Sequence, residues 1–193
     1  MSYEIKGNWD WGRSIDLHTL KSVPIEMDNY GNVVKWDTTR SEIWELVYQL
    51  KYKQDKSVVS KIVDLVLNQI HFQNIDNLIL IPAPPSKLDR EFQPVFLIVE
   101  ELAKRLNVPY YLDLLKKENS EELKNEDDVE KRIKILQNSI KINKNYDIVN
   151  KRILVIDDLY RSGVTLSVVS DILKNLKVKA VYVLTMTKTR TKR

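Results

Sequence analysis

Apolar positions along the chain fall into two alternating registers. Short runs at Leu78–Ile81, Ile153–Ile156 and Ala180–Leu184 have the length and β-branched content of strands covered on both faces. Between and around them the apolar period changes to 3.6 residues. Ile43, Leu46, Val47 and Leu50 make one helix face, and Val58, Val59, Ile62, Val63, Val66 and Ile70 make a second, with Asp55–Ser57 as the break. A third helix is predicted from about Phe92 to Leu106, with Val95, Phe96, Val99, Leu102, Ala103 and Leu106 inward. Leu166, Val169, Ile172, Leu173 and Leu176 mark a fourth, and Pro109–Leu112 is a further short strand. Strands alternating with helices predict an α/β fold with a parallel sheet flanked by helices.

Two stretches break this alternation. All four tryptophans, Trp9, Trp11, Trp36 and Trp44, and three of the four glycines lie at or before Trp44, and Asp28–Asn32 reads as a turn between extended pieces. This predicts a small N-terminal β-rich cap, and divides the chain into a cap over 1–40, an α/β core over 41–187 and a basic tail over 188–193. The stretch Lys116–Glu130 lacks an apolar period and carries seven acids against three lysines, which predicts a solvated, mobile loop.

Composition narrows the classes. Hydrophobic content of 43% and charged content of 30% are ordinary for a globular chain, and no cysteine is present to form disulfides or thiolate metal sites. No apolar run approaches the ~20 residues of a membrane span, and the start of the chain has no signal-peptide core, so the expected location is cytoplasmic and no membrane partner is expected. The net charge of +4 owes much to the tail. Such a tail would favour nucleic acid as a partner, although a solvated chain end is the simpler reading.

Candidate chemistry concentrates in Ile153–Leu166, ILVIDDLYRSGVTL. A strand ends at two adjacent carboxylates, Asp157 and Asp158, and a short loop with Ser162, Gly163 and Thr165 leads into a helix. Ligands bind at the carboxyl ends of parallel strands, and a helix start presents free N–H groups to an anion. Gly163 can take a positive φ that lets those groups converge. The acids would repel the same anion, so they should face hydroxyls or a metal ion beside it. A ribose 5-phosphate meets both demands. A nucleotidase strand also ends in two acids, but no G-x-x-x-x-G-K-[ST] loop accompanies this one. A second strand end carries PAPPSKLDR, whose prolines pre-set an extended or cis turn and leave the Ser86 N–H, Lys87 and Arg90 for another anion. His18 stands alone in DLHT and reads as structural rather than as an acceptor contact.

The motif resembles the phosphoribosyl-diphosphate (PRPP) binding motif of type I phosphoribosyltransferases, and the chain from Asp37 to Leu184 looks most like their ComF branch. The resemblance runs through DTTRSEIWELVYQLKYKQD, IPAPPSKLDREFQPVFLIVEELAKRL and the motif itself. It implies that Asp157 and Asp158 are catalytic, addressing the ribose hydroxyls and a Mg²⁺ ion directly or through water. Arg161, Ser162, Gly163, Val164 and Thr165 would bind the 5-phosphate, and Ser86, Lys87 and Arg90 the diphosphate. Lys116, Lys117 and Arg132 would flank a flexible loop that closes over the site, and the cap would be the hood that selects an unknown nitrogen acceptor. Phosphoribosyl transfer with release of diphosphate by a homodimer is the implied activity. The alternative is a non-catalytic PRPP-sensing or scaffold module of ComF type, associated with DNA uptake or processing. Three features depart from relatives: the N-terminal four-cysteine zinc module is absent, the lid is acidic, and Arg161 stands where many have threonine.

Overall fold

The computed structural model describes residues 2–73, 75–85, 90–118 and 128–190, with the side chains of Val129 and Arg132 outside the description. Its main sheet holds five strands: β1 (Tyr3–Glu4), β2 (Trp11–Leu17), β5 (Leu78–Pro82), β8 (Arg152–Tyr160) and β9 (Ala180–Lys188), in the order β1-β2-β9-β8-β5. All neighbours are parallel except β1 with β2. Two antiparallel ribbons complete the strands, β3 (Thr19–Met27) with β4 (Val33–Arg40), and β6 (Leu115–Lys117) with β7 (Ile140–Ile142).

Helices cover both faces, as expected of a parallel sheet. On one face lie α1 (Glu42–Tyr52), α2 (Val59–Gln69) and α3 (Pro94–Leu106), and on the other α4 (Val129–Ser139) and α5 (Val164–Asn175). The apolar faces read from sequence are the buried ones: Ile43, Leu46, Val47 and Leu50 of α1, and Ile62, Val63 and Val66 of α2. Ser41 starts α1 by accepting a hydrogen bond from the Trp44 N–H at 3.3 Å. Pro94 starts α3 at its first turn, two residues beyond the expected Phe92, because its missing N–H costs nothing there.

Four sequence expectations are corrected. Tyr3–Leu17, counted with the cap, belongs to the main sheet, where β2 runs parallel to β9; of the expected cap only Thr19–Arg40 forms a separate β ribbon. β8 continues past the acids to Tyr160 because β9 extends alongside it to Lys188, so the first residue of the expected tail is paired backbone. Pro109–Leu112 contributes a single bridge, Leu80 with Tyr110, rather than a strand. Lys116 and Lys117, expected in a mobile loop, are paired with Lys141 and Ile140 in the β6–β7 ribbon, which the burial of Leu115 and Ile140 anchors. At the other end of that expected loop Asp128 caps α4 and Val129 and Glu130 begin it, while residues 119–127 lie outside the described residues.

Candidate active site

Because β2, β5, β8 and β9 are parallel, their carboxyl ends share one edge, and the loops that follow gather there. Along β8 the side chains alternate. Ile153 and Val155 enter the core beneath α5, while Leu154 and Ile156 enter the core beneath α1–α3. Asp157 continues the first row and Asp158 the second, so the two carboxylates leave the strand toward opposite faces at its open end.

They line a cleft of about 250 Å³. Its floor is Asp157, Asp158 and Leu159 of β8 with Thr165 from the first turn of α5. One wall is Ala83–Pro85 after β5, followed by Arg90, Gln93 and the start of α3. Lys117 of β6 and Lys51 of α1 reach its rim. The Lys51 ammonium forms an ion pair with Asp158 Oδ2, and both side chains are largely buried. Lys51 was not singled out from sequence. Its signal was there, however, since it follows Leu50 in the last turn of α1, where a cation favours the helix dipole and the inward stripe ends.

The two acids differ in their surroundings. Burial first, and the Asp158 carboxylate second, push the Asp157 carboxyl up to about 7, against the Asp158 N–H, which donates to Asp157 Oδ1 at 2.8 Å, and the Lys51 ammonium. Thr185, the register partner of Asp157 on β9, is fully buried, and its hydroxyl has no hydrogen-bond partner among the described residues.

The loop after β8 takes the expected shape. Gly163 has φ +75° and caps α5, and no side chain caps that helix end. The first turn of α5, whose N–H groups a side-chain cap would otherwise engage, follows directly from the strand end that carries the acids. Gly163, Val164 and Thr165 are half-buried, whereas Arg161 and Ser162 are exposed.

Of the residues singled out from sequence, the cleft brings together Asp157, Asp158, Thr165, Arg90 and Lys117, with Gly163 and Val164 at the adjoining helix start. Lys116 is directed elsewhere, 3.4 Å from Asp113 and well exposed. Ser86 and Lys87 lie outside the described residues, as does the side chain of Arg132. No described peptide bond after β5 is cis. His18 packs its ring on Trp44 at 4.0 Å, and burial, with help from Arg40, holds its imidazole below the ordinary value.

Among the described residues no group of three or more His, Cys, Asp or Glu side chains could hold a metal ion by itself. The two carboxylates in the cleft still fit Mg²⁺, which keeps waters and takes remaining ligands from substrate oxygens.

The arrangement is that of an α/β domain with acids and an open helix start at the carboxyl edge of its sheet. A family model described as the phosphoribosyl transferase domain matches residues 96–193, slightly more than half of the chain. The chain belongs to the phosphoribosyl transferase domain family. Solved structures similar to it include a hypoxanthine phosphoribosyltransferase from Staphylococcus aureus, at 16% identity over 72% of this chain and 69% of that chain, with a TM-score of 0.44. An adenine phosphoribosyltransferase from Thermoanaerobacter pseudethanolicus has 18% identity over 87% of this chain and 83% of that one, with a TM-score of 0.45. A hypoxanthine-guanine phosphoribosyltransferase from Bacillus anthracis has 16% identity over 88% and 80%, with a TM-score of 0.42. No curated protein matches the chain.

Proposed function

We propose that the protein binds PRPP with Mg²⁺ and transfers the phosphoribosyl group to a nitrogen acceptor, releasing diphosphate, as a ComF-like type I phosphoribosyltransferase. The observation that carries this reading is the juxtaposition in one cleft of two acids, an uncapped helix start, and the cations Arg90 and Lys117. The ComF assignment draws support from Lys51, which lies within QLKYKQD and meets an acid of the motif.

In this reading the 5-phosphate sits at the start of α5 and supplies binding energy remote from the reacting carbon. The bond from ribose C1 to the diphosphate oxygen breaks ahead of formation of the bond to nitrogen, so positive charge grows on the sugar. Asp157 and Asp158 face that charge and the ribose hydroxyls, while Arg90 and Lys117 take up the charge on the departing diphosphate. Lys51 balances Asp158, which lets two adjacent carboxylates share one cleft. Asp157 and Asp158 would hold Mg²⁺ directly or through water, where it supplies charge neutralisation for the leaving group. Ser86 and Lys87 join the diphosphate side in this assignment, and Arg161 and Ser162 the 5-phosphate side. The ribbon Thr19–Arg40 is the proposed hood. A homodimer follows from the resemblance and is checked by light scattering. Absence of cysteine agrees with a reducing, cytoplasmic setting. No helix among the described residues is long and apolar enough to cross a membrane.

Calorimetry with PRPP and Mg²⁺ tests the binding step. Measurable affinity in the wild type and its loss in the Asp157→Asn, Asp158→Asn double variant are expected, and an unchanged affinity in that variant removes the acids from the site. Release of diphosphate in the presence of nitrogen bases tests turnover, and silence across a broad panel reduces the function to binding alone.

A further inference from the structure

The segment between β1 and β2 lies against the motif without contributing to the cleft. Asn8 Nδ2 donates to the Ser167 carbonyl at 3.0 Å and to Asp171 Oδ1 at 2.7 Å, and the Asn8 carbonyl accepts from Ser170 Oγ at 3.2 Å. These bonds tie the segment across the middle of α5. Next to it the Trp9 ring is 8% exposed, its Nε1 donating to the Ile5 carbonyl at 3.0 Å. Gly7 and Gly12 leave room for that ring, since a Cβ on either would come within 2.3 Å of its atoms.

Trp9 then meets Tyr160 edge-on, with centroids 6.2 Å apart and planes at 89°. The Tyr160 hydroxyl donates to the Lys6 carbonyl at 3.2 Å, and its ring lies where a Cβ on Gly163 would fall, 2.7 Å from that position. A continuous set of contacts thus runs from the sheet core through Trp9 and Tyr160 to the one residue of the loop with positive φ. A glycine by itself samples several backbone wells. Held against a fixed ring, it keeps one.

We propose that residues 5–10 form a strap that keeps the 161–165 loop in its anion-binding shape, with Trp9 and Tyr160 as positioning residues for the terminal phosphate of the ligand. The inference rests on the reading of that loop as the phosphate site. Its physical content is preorganisation: a loop already in the bound shape loses less conformational freedom when the phosphate arrives. The strap supports the loop at one end of the ligand and not the wall at the other, so its loss is selective.

The test compares two probes by calorimetry with Mg²⁺ on the full chain, ribose 5-phosphate for the loop and inorganic diphosphate for the opposite wall. Tyr160→Ala is expected to weaken ribose 5-phosphate by about tenfold and diphosphate by less than about twofold, and Tyr160→Phe, which keeps the ring, to retain most of the affinity. Should Tyr160→Ala fail to fold by circular dichroism, Trp9→Phe carries the same comparison, with an expected selective loss of about threefold. Equal weakening of both probes, or undiminished ribose 5-phosphate affinity in a folded variant, overturns the strap while leaving the site intact. A wild type that binds neither probe overturns the site, and the strap with it.

Discussion

Lys51 and Asp158 show how a single pair sets the character of the cleft. Removing one partner of a largely buried pair leaves an uncompensated charge, so Lys51→Met is expected to cost about 2–3 kcal/mol in urea denaturation. The Lys51→Met, Asp158→Asn double variant should recover part of that loss, since it buries no lone charge. Asp157 makes a prediction in pH. Its carboxyl titrates near 7 in the folded protein against an ordinary value of 3.8, so between these values the native state holds a proton that the unfolded chain has released. The stability this contributes is complete below about 3.8 and is lost as pH rises through 7. With a chelator present, Asp157→Asn should therefore melt above the wild type at pH 8 and close to it near pH 4. A constant offset across that range would place the carboxyl in solvent.

At the level of elements, the helix starts of α1 and α5 differ in how they are closed. α1 is closed by Ser41, which is buried and bonded to the Trp44 N–H, and Ser41→Ala is expected to cost about 1 kcal/mol. α5 begins at Gly163 with no side-chain cap hydrogen bond. Gly163→Ala would combine a left-handed φ with a Cβ driven against the Tyr160 ring, and should cost about 1–3 kcal/mol by chemical denaturation. It should also weaken PRPP binding in calorimetry. An affinity equal to the wild type would show that the loop shape does not matter to the ligand.

For the whole molecule, the ribbon Thr19–Arg40 stands apart. Ile25, Met27, Val34 and Trp36 on it are all more than half exposed, and its strands pair with each other rather than with the main sheet. Thr19 and Arg40 are register partners, so a short Gly/Ser linker can join the chain where the ribbon leaves. Replacing residues 20–39 in this way should leave cooperative unfolding and PRPP binding in place while abolishing transfer, if the ribbon is the hood. Loss of cooperative unfolding would make it part of the core.

Legibility from the sequence followed the strength of the local signal. Runs such as Ile153–Ile156, and helix faces such as Ile43 to Leu50, are legible because burial on a fixed period leaves few alternatives. The acids and Gly163 are legible because their chemistry is unusual where it stands. Lys51 was not, since one lysine among many on helix ends is unremarkable until a partner more than a hundred residues away faces it. Nor was the placement of Tyr3–Leu17 in the main sheet, because parallel pairing of β2 with β9 joins the two ends of the chain and leaves no local mark. By itself the sequence determined the buried strands around Leu78–Ile81, Ile153–Ile156 and Ala180–Leu184 with the helices whose apolar faces cover them, and named residues that could serve an anion and a sugar, since both follow from short-range pattern and side-chain chemistry. Tertiary structure alone decided which cations share a cleft with the acids, which carboxyl is pushed above its ordinary range, and which ring lies against Gly163, because each depends on burial and on contacts between segments far apart in the chain.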